Sequence, residues 1–314
     1  MTVPTTMRAA RIHAFGGPEQ LVVEEVDVPQ VGDHEVLVEV HAASVNGADL
    51  ELRRTGFDGY FEPPLTLGVD LSGVVVAVGP QVERLSVGDA VHGRRSSADR
   101  GTYSAYAAVP EDDLVRKPKA LSHVVASAVP VVGLAAWQAL YDVGHLSRGE
   151  RVLIHGAGGG VGHLAVQFAQ HFGGYVVASD TGAALERARA LGPSESYDFR
   201  EVDVLAEIWP VELVVDPVGG PVTNASLGVL GSGGRLVTLV GDPDVAAARS
   251  RGANATSLDS WMDRDALTRI DQLIEAGEVV VDIAEVLPLS EARRAHELAE
   301  TGEVRGKLVL DPRQ

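Results

Sequence analysis

Residues 151–170 read RVLIHGAGGGVGHLAVQFAQ and place a strand, a glycine-rich turn and a helix in direct succession. The apolar run at residues 152–154 is typical of a short strand that is buried on both faces. After the glycines, apolar residues recur with helical spacing over residues 161–172, which predicts a helix with one apolar stripe. A strand, a glycine turn and a helix in this order are typical of a dinucleotide-binding unit.

The turn itself reads AGGGVG over residues 157–162, an A-x-G-x-x-G variant of the dinucleotide fingerprint. The first small residue permits a tight turn, the middle one lets the backbone approach a pyrophosphate, and the last one lets helix and strand pack closely. Free N–H groups and the positive end of the helix dipole then face the diphosphate. The alternative is a purely structural βα turn. The predicted cofactor-binding residues here are Ala157, Gly158, Gly159, Gly160, Val161 and Gly162.

Composition limits the function classes. The 314 residues are enough for two domains of ordinary size, and a hydrophobic content of 45% is typical of a globular protein. A formal net charge of −18 disfavours nucleic-acid binding, because it would repel a phosphate backbone. The absence of cysteine excludes disulfides, thiolate zinc sites and cysteine nucleophiles. No apolar run reaches the ~18–20 residues of a membrane span and the start lacks a signal-peptide core, so we expect a cytoplasmic protein without a membrane segment.

Residues 1–121 carry the pattern of a β-rich domain. Short apolar or alternating runs, separated by glycine and proline turn signals, predict a barrel or sandwich. Residues 44–55 differ, since they look like a short helix that leads into a loop at residues 56–64. The strands are predicted at residues 7–13, 21–28, 35–41, 71–78, 90–92 and 103–109.

From Ser122 onward helices alternate with strands. Ser122 can cap a helix that runs toward Pro130. The alternation predicts a doubly wound parallel sheet, hence an α/β domain over residues 122–261. A tail with a strand, helix, strand pattern follows and could return to the first domain. The helices are predicted at residues 134–141, 185–191, 222–230 and 291–300, and the strands at residues 175–179, 213–216, 235–240, 284–288 and 307–310.

Seven motifs resemble, in the same order, those of the zinc-free quinone-oxidoreductase, zeta-crystallin-like branch of the medium-chain dehydrogenase/reductase superfamily. The resemblance implies a GroES-like substrate domain from residues 1–121, completed by residues 262–314, and a Rossmann domain at residues 122–261. It also implies a homodimer and NADPH-dependent reduction of quinones or other activated carbonyl compounds. The motifs are residues 44–49 (SVNGAD), 67–75 (LGVDLSGVV), 103–106 (YSAY), 133–140 (GLAAWQAL), the fingerprint, 216–220 (DPVGG) and 305–310 (RGKLVL).

The first departure from the wider superfamily concerns zinc. Its zinc enzymes use a Gly-His-Glu motif to supply a ligand, whereas this chain has Gly68-Val69-Asp70. The ten histidines show no H-x-x-H or H-E-x-x-H spacing. We therefore predict no metal site.

The second departure concerns the adenosine end of the cofactor. An acidic residue at the position of Ser179 would hold both ribose hydroxyls of NAD, so Ser179 favours NADPH with its 2′-phosphate. The next residue, Asp180, opposes this choice because a carboxylate repels a phosphate. We expect Asp180 to point away, since successive side chains of a strand alternate in direction. The basic residue common among the relatives at Ala183 or Ala184 is missing, and Arg200 could supply the charge; NADH stays possible.

Other candidate residues come from the matched motifs. The Asn46 amide could contact the nicotinamide ribose or a substrate oxygen, or it could simply cap the following helix. Lys307 could reach the cofactor from the tail, or it could be a solvated strand-edge lysine. Val240, at the end of a predicted Rossmann strand, is predicted to contact the cofactor.

Tyr60 lies in the loop expected to border the active site, where its hydroxyl could donate to a substrate carbonyl; the alternative is a packing residue. Asn46 and Tyr60 are the predicted catalytic residues. Asp49 and Asp70 look more like structural acceptors that hold loops, because buried carboxylates are usually paired.

These residues favour hydride transfer from a nicotinamide cofactor to a quinone or enone without a metal, since conjugation spreads the charge that develops on the substrate oxygen. Oxidation of simple alcohols fits less well, because no obvious general base remains. Two alternatives stay open. One is a tailoring enoyl reductase that acts on a larger or carrier-bound substrate, and the other is a non-catalytic dinucleotide-binding redox sensor.

Overall fold

The computed structural model describes residues 3–95, 101–302, 304 and 306–314, so Arg305 of the last motif lies outside the described residues. The chain divides into two compact units. The first comprises Met1–Val131, Met262–Glu275 and Val281–Gln314, and the second comprises Val132–Trp261 and Ala276–Val280. The second unit thus begins ten residues later than the segment predicted from residue 122, because the helix that follows Ser122 belongs to the first unit.

The strands are β1 Thr6–Ile12, β2 Val22–Asp27, β3 Glu35–Ser44, β4 Leu65–Thr66, β5 Asp70–Val78, β6 Ala90–Arg94, β7 Tyr106–Pro110, β8 Leu114–Arg116, β9 Arg151–His155, β10 Tyr175–Asp180, β11 Glu195–Asp198, β12 Val211–Asp216, β13 Leu230–Thr238, β14 Asn254–Ser257, β15 Ile283–Pro288 and β16 Lys307–Asp311.

The α-helices are α1 Gly47–Gly59, α2 His123–Ser127, α3 Pro130–Trp137, α4 Gly162–His171, α5 Gly182–Ala190, α6 Val204–Glu207, α7 Pro221–Ala225, α8 Val245–Ser250, α9 Arg264–Glu275 and α10 Ala292–Glu300. A π-helical turn, Gln138–Asp142, follows α3, and short 3-10 turns occur elsewhere. Among the residues described, no helix is both long and apolar enough to cross a membrane.

The first unit is built on β-sheet. One sheet has the order β2-β1-β4, and the larger one has the order β15-β16-β3-β5-β6-β8, with β7 also paired to β3. The tail strand β16 pairs antiparallel with β3 through Val309–Ser44 and Leu310–Ala43, and parallel with β15. Strand β3 is central because it pairs with three strands and buries most of its side chains. The C-terminal strand therefore completes the sheet that carries the N-terminal motifs.

The second unit is a parallel sheet of order β11-β10-β9-β12-β13-β14. From β9 the chain moves outward through β10 to β11, then returns to pair β12 with the other side of β9. This reversal places a topological switch point between β9 and β12, where ligands of such sheets bind at the carboxyl ends of the strands. Residues 152–154 are fully buried, as expected for a central strand. The predicted α/β fold, with a β-rich unit and a doubly wound parallel sheet, is confirmed.

Several element boundaries differ from the prediction. The helix expected at residues 44–55 begins only at Gly47, because Ser44 still belongs to β3. The strand expected at residues 235–240 ends at Thr238, so Val240 lies beyond it. Strands β11 and β14 and helix α9 were not predicted. Both strands are short, and neither shows a continuous apolar run, so periodicity carries little signal there.

Candidate functional site

The glycine turn joins β9 to α4 in the second unit. A Cβ on Gly162 would lie 2.0 Å from the Gly156 carbonyl oxygen, so only glycine permits this approach of helix and strand. A Cβ on Gly158 would lie 1.9 Å from the Ala184 carbonyl oxygen. Gly159 differs, because its nearest neighbour would be the Gly156 oxygen at 3.1 Å, and the space around it is otherwise open. The turn is therefore tight behind Gly158 and Gly162 and open beside Gly159.

The N–H groups at the start of α4 are available to a ligand. Those of Gly160, Val161 and Gly162 donate to no acceptor in the part of the chain that the structure describes. The N–H of Gly159 differs, since it donates to the Gly156 carbonyl at 2.9 Å. Three adjacent free donors at a helix N-terminus, beside the open space at Gly159, make a cradle that fits a diphosphate.

A cavity of about 680 Å³ opens beside this turn, lined by residues that include His155, Ser179, Phe199, Arg200 and Val218. Ser179 is 1% exposed, and its Oγ has no hydrogen-bond partner within the described ranges. A buried hydroxyl without a partner is costly. Its place on a cavity wall indicates that a polar ligand group belongs there.

Arg200 brings positive charge to the same cavity. Its Nη2 lies 2.9 Å from the point that a Cβ on Gly182 would occupy, so the guanidinium covers the first residue of α5. The Nε atom is 3.7 Å from Asp198 Oδ1. The backbone N–H of Arg200 donates to Asp198, which lowers the pKa of that carboxyl. Most of the Arg200 side chain is exposed, so its guanidinium can also bind an anion in the cavity that Ser179 lines.

Asp180 turns in another direction from Ser179. Its Oδ2 accepts from the backbone N–H of Gly158 at 2.8 Å and its Oδ1 from that of Thr181 at 2.7 Å. Ser179 lines the cavity, whereas the Asp180 carboxylate is directed at the back of the glycine turn. Ser179 therefore faces the cavity and Asp180 faces the glycine turn, as expected when successive side chains of a strand alternate in direction.

Two residues at strand ends beside the switch point were not among the predicted site residues, although Asp216 begins the DPVGG motif. His155 ends β9 and lines the cavity, and its Nε2 lies 2.8 Å from Ser226 Oγ; burial lowers its pKa. Asp216 ends β12 and accepts from the backbone N–H groups of Val218 and Gly219, which shapes the DPVGG turn at the cavity wall. The rule that ligands bind at the carboxyl ends of strands flanking a switch point would have selected both positions.

Val240, the predicted cofactor contact, lies two residues past the end of β13 and is half-exposed. A Cβ on Gly219 would lie 2.7 Å from the Val240 Cβ, so Val240 packs directly against the DPVGG turn. Its role in cofactor binding stays a prediction.

In the first unit, Asn46 stands at the N-cap of α1 and is 5% exposed. Its Nδ2 donates to Asp70 Oδ2 at 2.9 Å, and its Oδ1 accepts from Lys307 Nζ. The amide is thus held at both ends by buried charged groups. A capping box also links Asn46 to Asp49 at the start of α1, so the capping alternative stays open. Any contact of the Asn46 side chain with a cofactor would have to use its remaining hydrogen-bonding capacity.

Lys307 is 4% exposed, so the alternative of a solvated strand-edge lysine is wrong. Its ammonium donates to the Val45 carbonyl at 2.8 Å as well as to Asn46. Burial lowers the pKa of Lys307, and the nearby carboxylates of Asp70 and Asp49 act in the opposite direction. The lysine that β16 contributes therefore holds the start of α1 from within the first unit.

Asp49 and Asp70 are fully buried beside this lysine. Asp70 accepts from Ser44 Oγ at 3.0 Å and from the Val131 N–H at 3.1 Å. Asp49 accepts from the Asn46 N–H at 2.8 Å and from the Tyr103 hydroxyl at 3.1 Å. Burial raises the pKa of both carboxyls, that of Asp49 to about 7. Both residues act as the structural acceptors expected from the sequence.

Tyr60 follows a left-handed turn at the end of α1, in which Gly56, Phe57 and Asp58 all have positive φ. Its side chain is 82% exposed and touches the Phe61 ring, with centroids 5.0 Å apart. Such exposure does not support the alternative of a packing residue. The hydroxyl is accessible to a substrate, and its catalytic role stays a prediction.

The described residues at the Gly68-Val69-Asp70 motif do not fit a catalytic zinc ion. No group of three or more His, Asp or Glu side chains placed to hold a metal occurs among residues 3–95, 101–302, 304 and 306–314. At the Gly68-Val69-Asp70 motif, Val69 has no donor atom and the Asp70 carboxylate already accepts hydrogen bonds from three groups.

Two family models match the chain. Residues 32–119 match the alcohol dehydrogenase GroES-like domain, and residues 191–310 match a family described as zinc-binding dehydrogenase. The first match covers most of the strands of the β-rich unit. The second runs from the Rossmann sheet into the tail that returns to the first unit.

Relatives that match nearly the whole chain are also oxidoreductases by name. The mitochondrial NAD(P)H oxidoreductase of Mus musculus is 32% identical, over 98% of this chain and 89% of the relative. The solved quinone oxidoreductase of Coxiella burnetii is 32% identical with a TM-score of 0.92, covering 98% of this chain and 99% of that one. The Escherichia coli quinone oxidoreductase, solved in complex with NADPH, is 28% identical with a TM-score of 0.90, covering 97% and 100%.

Proposed function

The chain belongs to the quinone-oxidoreductase, zeta-crystallin-like branch of the medium-chain dehydrogenase/reductase superfamily and is an NAD(P)H oxidoreductase, and we propose that it uses NADPH to reduce quinones or other conjugated carbonyl compounds without a metal. The observation that carries the cofactor choice is the buried Ser179 hydroxyl, which has no partner among the described residues and lines a cavity together with Arg200. A 2′-phosphate would satisfy both groups.

The second unit has the groups needed to hold this cofactor. The free N–H groups of Gly160, Val161 and Gly162 would bind the diphosphate, and Ser179 and Arg200 would bind the 2′-phosphate. Bound NADPH supplies the hydride. The protein contributes binding, orientation and exclusion of water.

The first unit carries the residues predicted to contact the substrate. The exposed Tyr60 hydroxyl can donate to a substrate oxygen, and the buried Asp70 and Lys307 hold the Asn46 amide in one orientation. A quinone or enone suits such a site, because conjugation spreads the negative charge that forms on the acceptor. Relatives whose names specify quinone oxidoreductase support this substrate class.

The test is NADPH oxidation with a panel of quinones, enones, simple ketones and enoyl thioesters. We expect turnover of quinones and enones that survives exhaustive chelation, with metal analysis as a check. Activity confined to enoyl thioesters would favour the tailoring reductase, and cofactor binding without turnover of any acceptor would favour the redox sensor. Loss of activity together with stoichiometric zinc would contradict the metal-free mechanism.

Arg200→Ala tests the cofactor choice. We expect the KM for NADPH to rise about tenfold, the loss of one charge-assisted hydrogen bond, with little change for NADH. The matched control is Arg251→Ala, which removes an exposed arginine elsewhere in the same unit. An equal effect of Arg200→Ala on both cofactors would show that Arg200 does not contact the 2′-phosphate.

We also propose a cytoplasmic homodimer. Strand β14 is the last strand of the Rossmann sheet in the order described, and three of its four residues are exposed. An unpaired strand edge can join a two-fold mate through backbone hydrogen bonds. Sedimentation across a dilution series should give twice the chain mass, and a monomer at every concentration would contradict it.

A further inference from the structure

Asp180 is an acidic side chain placed directly behind the dinucleotide turn, and nothing in the proposed chemistry uses it. It ends β10, one residue after Ser179, and is 9% exposed. Its Oδ2 accepts from the Gly158 N–H at 2.8 Å, which joins the end of β10 to the turn that follows β9. The carboxylate thus ties together two elements that neighbouring strands present at the same edge of the sheet.

The second carboxylate oxygen fixes Asp180 itself. Oδ1 accepts from the Thr181 N–H at 2.7 Å, at the N-cap of α5. With both oxygens engaged by backbone donors, the side chain has one orientation and its charge is partly balanced by peptide dipoles. A long or mobile acidic side chain would not provide this fixed point.

Gly158 is held from its other side as well. A Cβ there would lie 1.9 Å from the Ala184 carbonyl oxygen, so the turn lies against the first turn of α5. The Gly158 N–H is committed to Asp180, whereas the next donors with no partner in the described chain are those of Gly160, Val161 and Gly162. The contact therefore fixes the turn just before the donors that would meet the diphosphate.

We infer that Asp180 is a positioning residue of the dinucleotide site: by binding the Gly158 N–H it fixes the glycine turn so that the following N–H groups converge on the diphosphate. This inference rests on the proposed use of a nicotinamide dinucleotide. It predicts a distinct pattern, since NADPH and NADH share the diphosphate. Asp180 supports both cofactors equally, whereas Arg200 discriminates between them.

Three variants test it: Asp180→Ala removes the acceptor, Asp180→Asn keeps an oxygen that can accept from Gly158, and Asp244→Ala is the matched control. Asp244 also accepts from a backbone N–H, that of Ala247, but at the exposed start of α8. Dissociation constants for NADPH and NADH are measured by fluorescence. Amide hydrogen exchange at Gly158 is measured in the ligand-free proteins.

We expect Asp180→Ala to weaken both cofactors about tenfold and to speed exchange at Gly158 at least tenfold, while Asp180→Asn and Asp244→Ala stay within about threefold of the native values. Equal binding by Asp180→Ala and the native chain, or a loss confined to NADPH, overturns the inference. So does a tenfold loss of both cofactors in Asp180→Asn, because that variant keeps an acceptor for the Gly158 N–H.

Two further outcomes remain decisive. If Asp180→Ala does not fold, exchange in the native chain decides: the Gly158 amide should be at least tenfold more protected than that of Gly160, and equal rates overturn the inference. If the native chain binds no dinucleotide, the proposed function fails, and the exchange data still report on the contact itself.

Discussion

Two sets of polar groups, one in each unit, differ in whether they are paired with other protein groups. At the glycine turn of the second unit, three backbone donors and the Ser179 hydroxyl have no partner in the described chain, and Arg200 is exposed beside them. In the first unit, the Asn46 amide and the Lys307 ammonium are buried and bonded to protein groups. Because unpaired buried polar groups are costly, the open set indicates a place for a ligand and the closed set indicates support.

Gly159→Val is the variant with the largest expected effect on cofactor affinity. The branched side chain would fill the open space beside the diphosphate donors, so we expect cofactor affinity to fall at least about a hundredfold while the chain stays folded. The control is Gly228→Val, an exposed position in the same unit whose added Cβ would meet nothing within 4 Å. Fluorescence titration measures affinity and circular dichroism measures folding. Unchanged affinity would remove the cofactor site from this turn.

Lys307→Met tests the closed set. Removing the ammonium leaves Asp70 and the Asn46 oxygen buried without their cationic neighbour, so we expect the free energy of unfolding to fall by about 3–5 kcal/mol. Lys119→Met, at an exposed lysine, should change it by less than about 0.5 kcal/mol. Urea unfolding measures both. Native stability combined with weakened NADPH binding would break the comparison, because Lys307 would then be a ligand group.

The pH dependence of stability sharpens the same contrast. Burial raises the pKa of Asp49 from 3.8 to about 7 in the folded chain, so the folded state binds its proton more tightly than the unfolded state. The contribution of Asp49 to stability should therefore fall as pH rises from about 4 to about 7 and change no further above that range. Lys307, Asp70 and Tyr103 are the charged and titratable groups that face this carboxyl.

The measurement compares urea unfolding of the native chain and Asp49→Asn at pH 5 and pH 8. The native chain should lose stability relative to the variant at the higher pH. Asp244→Asn, at an exposed position, should follow the native profile. Parallel profiles for the native chain and Asp49→Asn would show that Asp49 is ionised throughout.

The smallest expected effect belongs to Ala183→Arg. A second cation near the start of α5 should raise kcat/KM for NADPH about threefold over that for NADH, since a partly exposed ionic contact is worth under about 1 kcal/mol. Ala246→Arg adds the same charge at an exposed position in α8 and serves as the control. A native preference for NADH, or an equal gain with both cofactors, would show that no 2′-phosphate binds near the start of α5.

The sequence predicted the second unit better than the first. The turn at residues 157–162 is local, so spacing alone placed strand β9, the glycines and helix α4. The network around Asn46 joins residues far apart in the chain, since Lys307 lies on β16 and Asn46 precedes α1. No local pattern reports such a contact, which is why Lys307 was predicted to be either solvated or at the cofactor.

Asp180 illustrates a second limit. The sequence showed a carboxylate where a phosphate was expected, and alternation along β10 correctly separated its direction from that of Ser179. What the carboxylate contacts instead depends on how the turn after β9 lies beside the end of β10. This placement depends on the pairing of β9 with β10, so no single segment of the sequence shows it.

The pairing of β16 with β3 has a consequence for biosynthesis. The ribosome makes the Asn46 and Asp70 segments early, yet the strand that carries Lys307 follows the whole Rossmann segment in the chain. During translation the early strands therefore lack Lys307, the cation near the Asp70 carboxylate, until β16 has been made. The second unit can already fold before that point. The N-terminal unit is the first to be synthesised and the last to be completed.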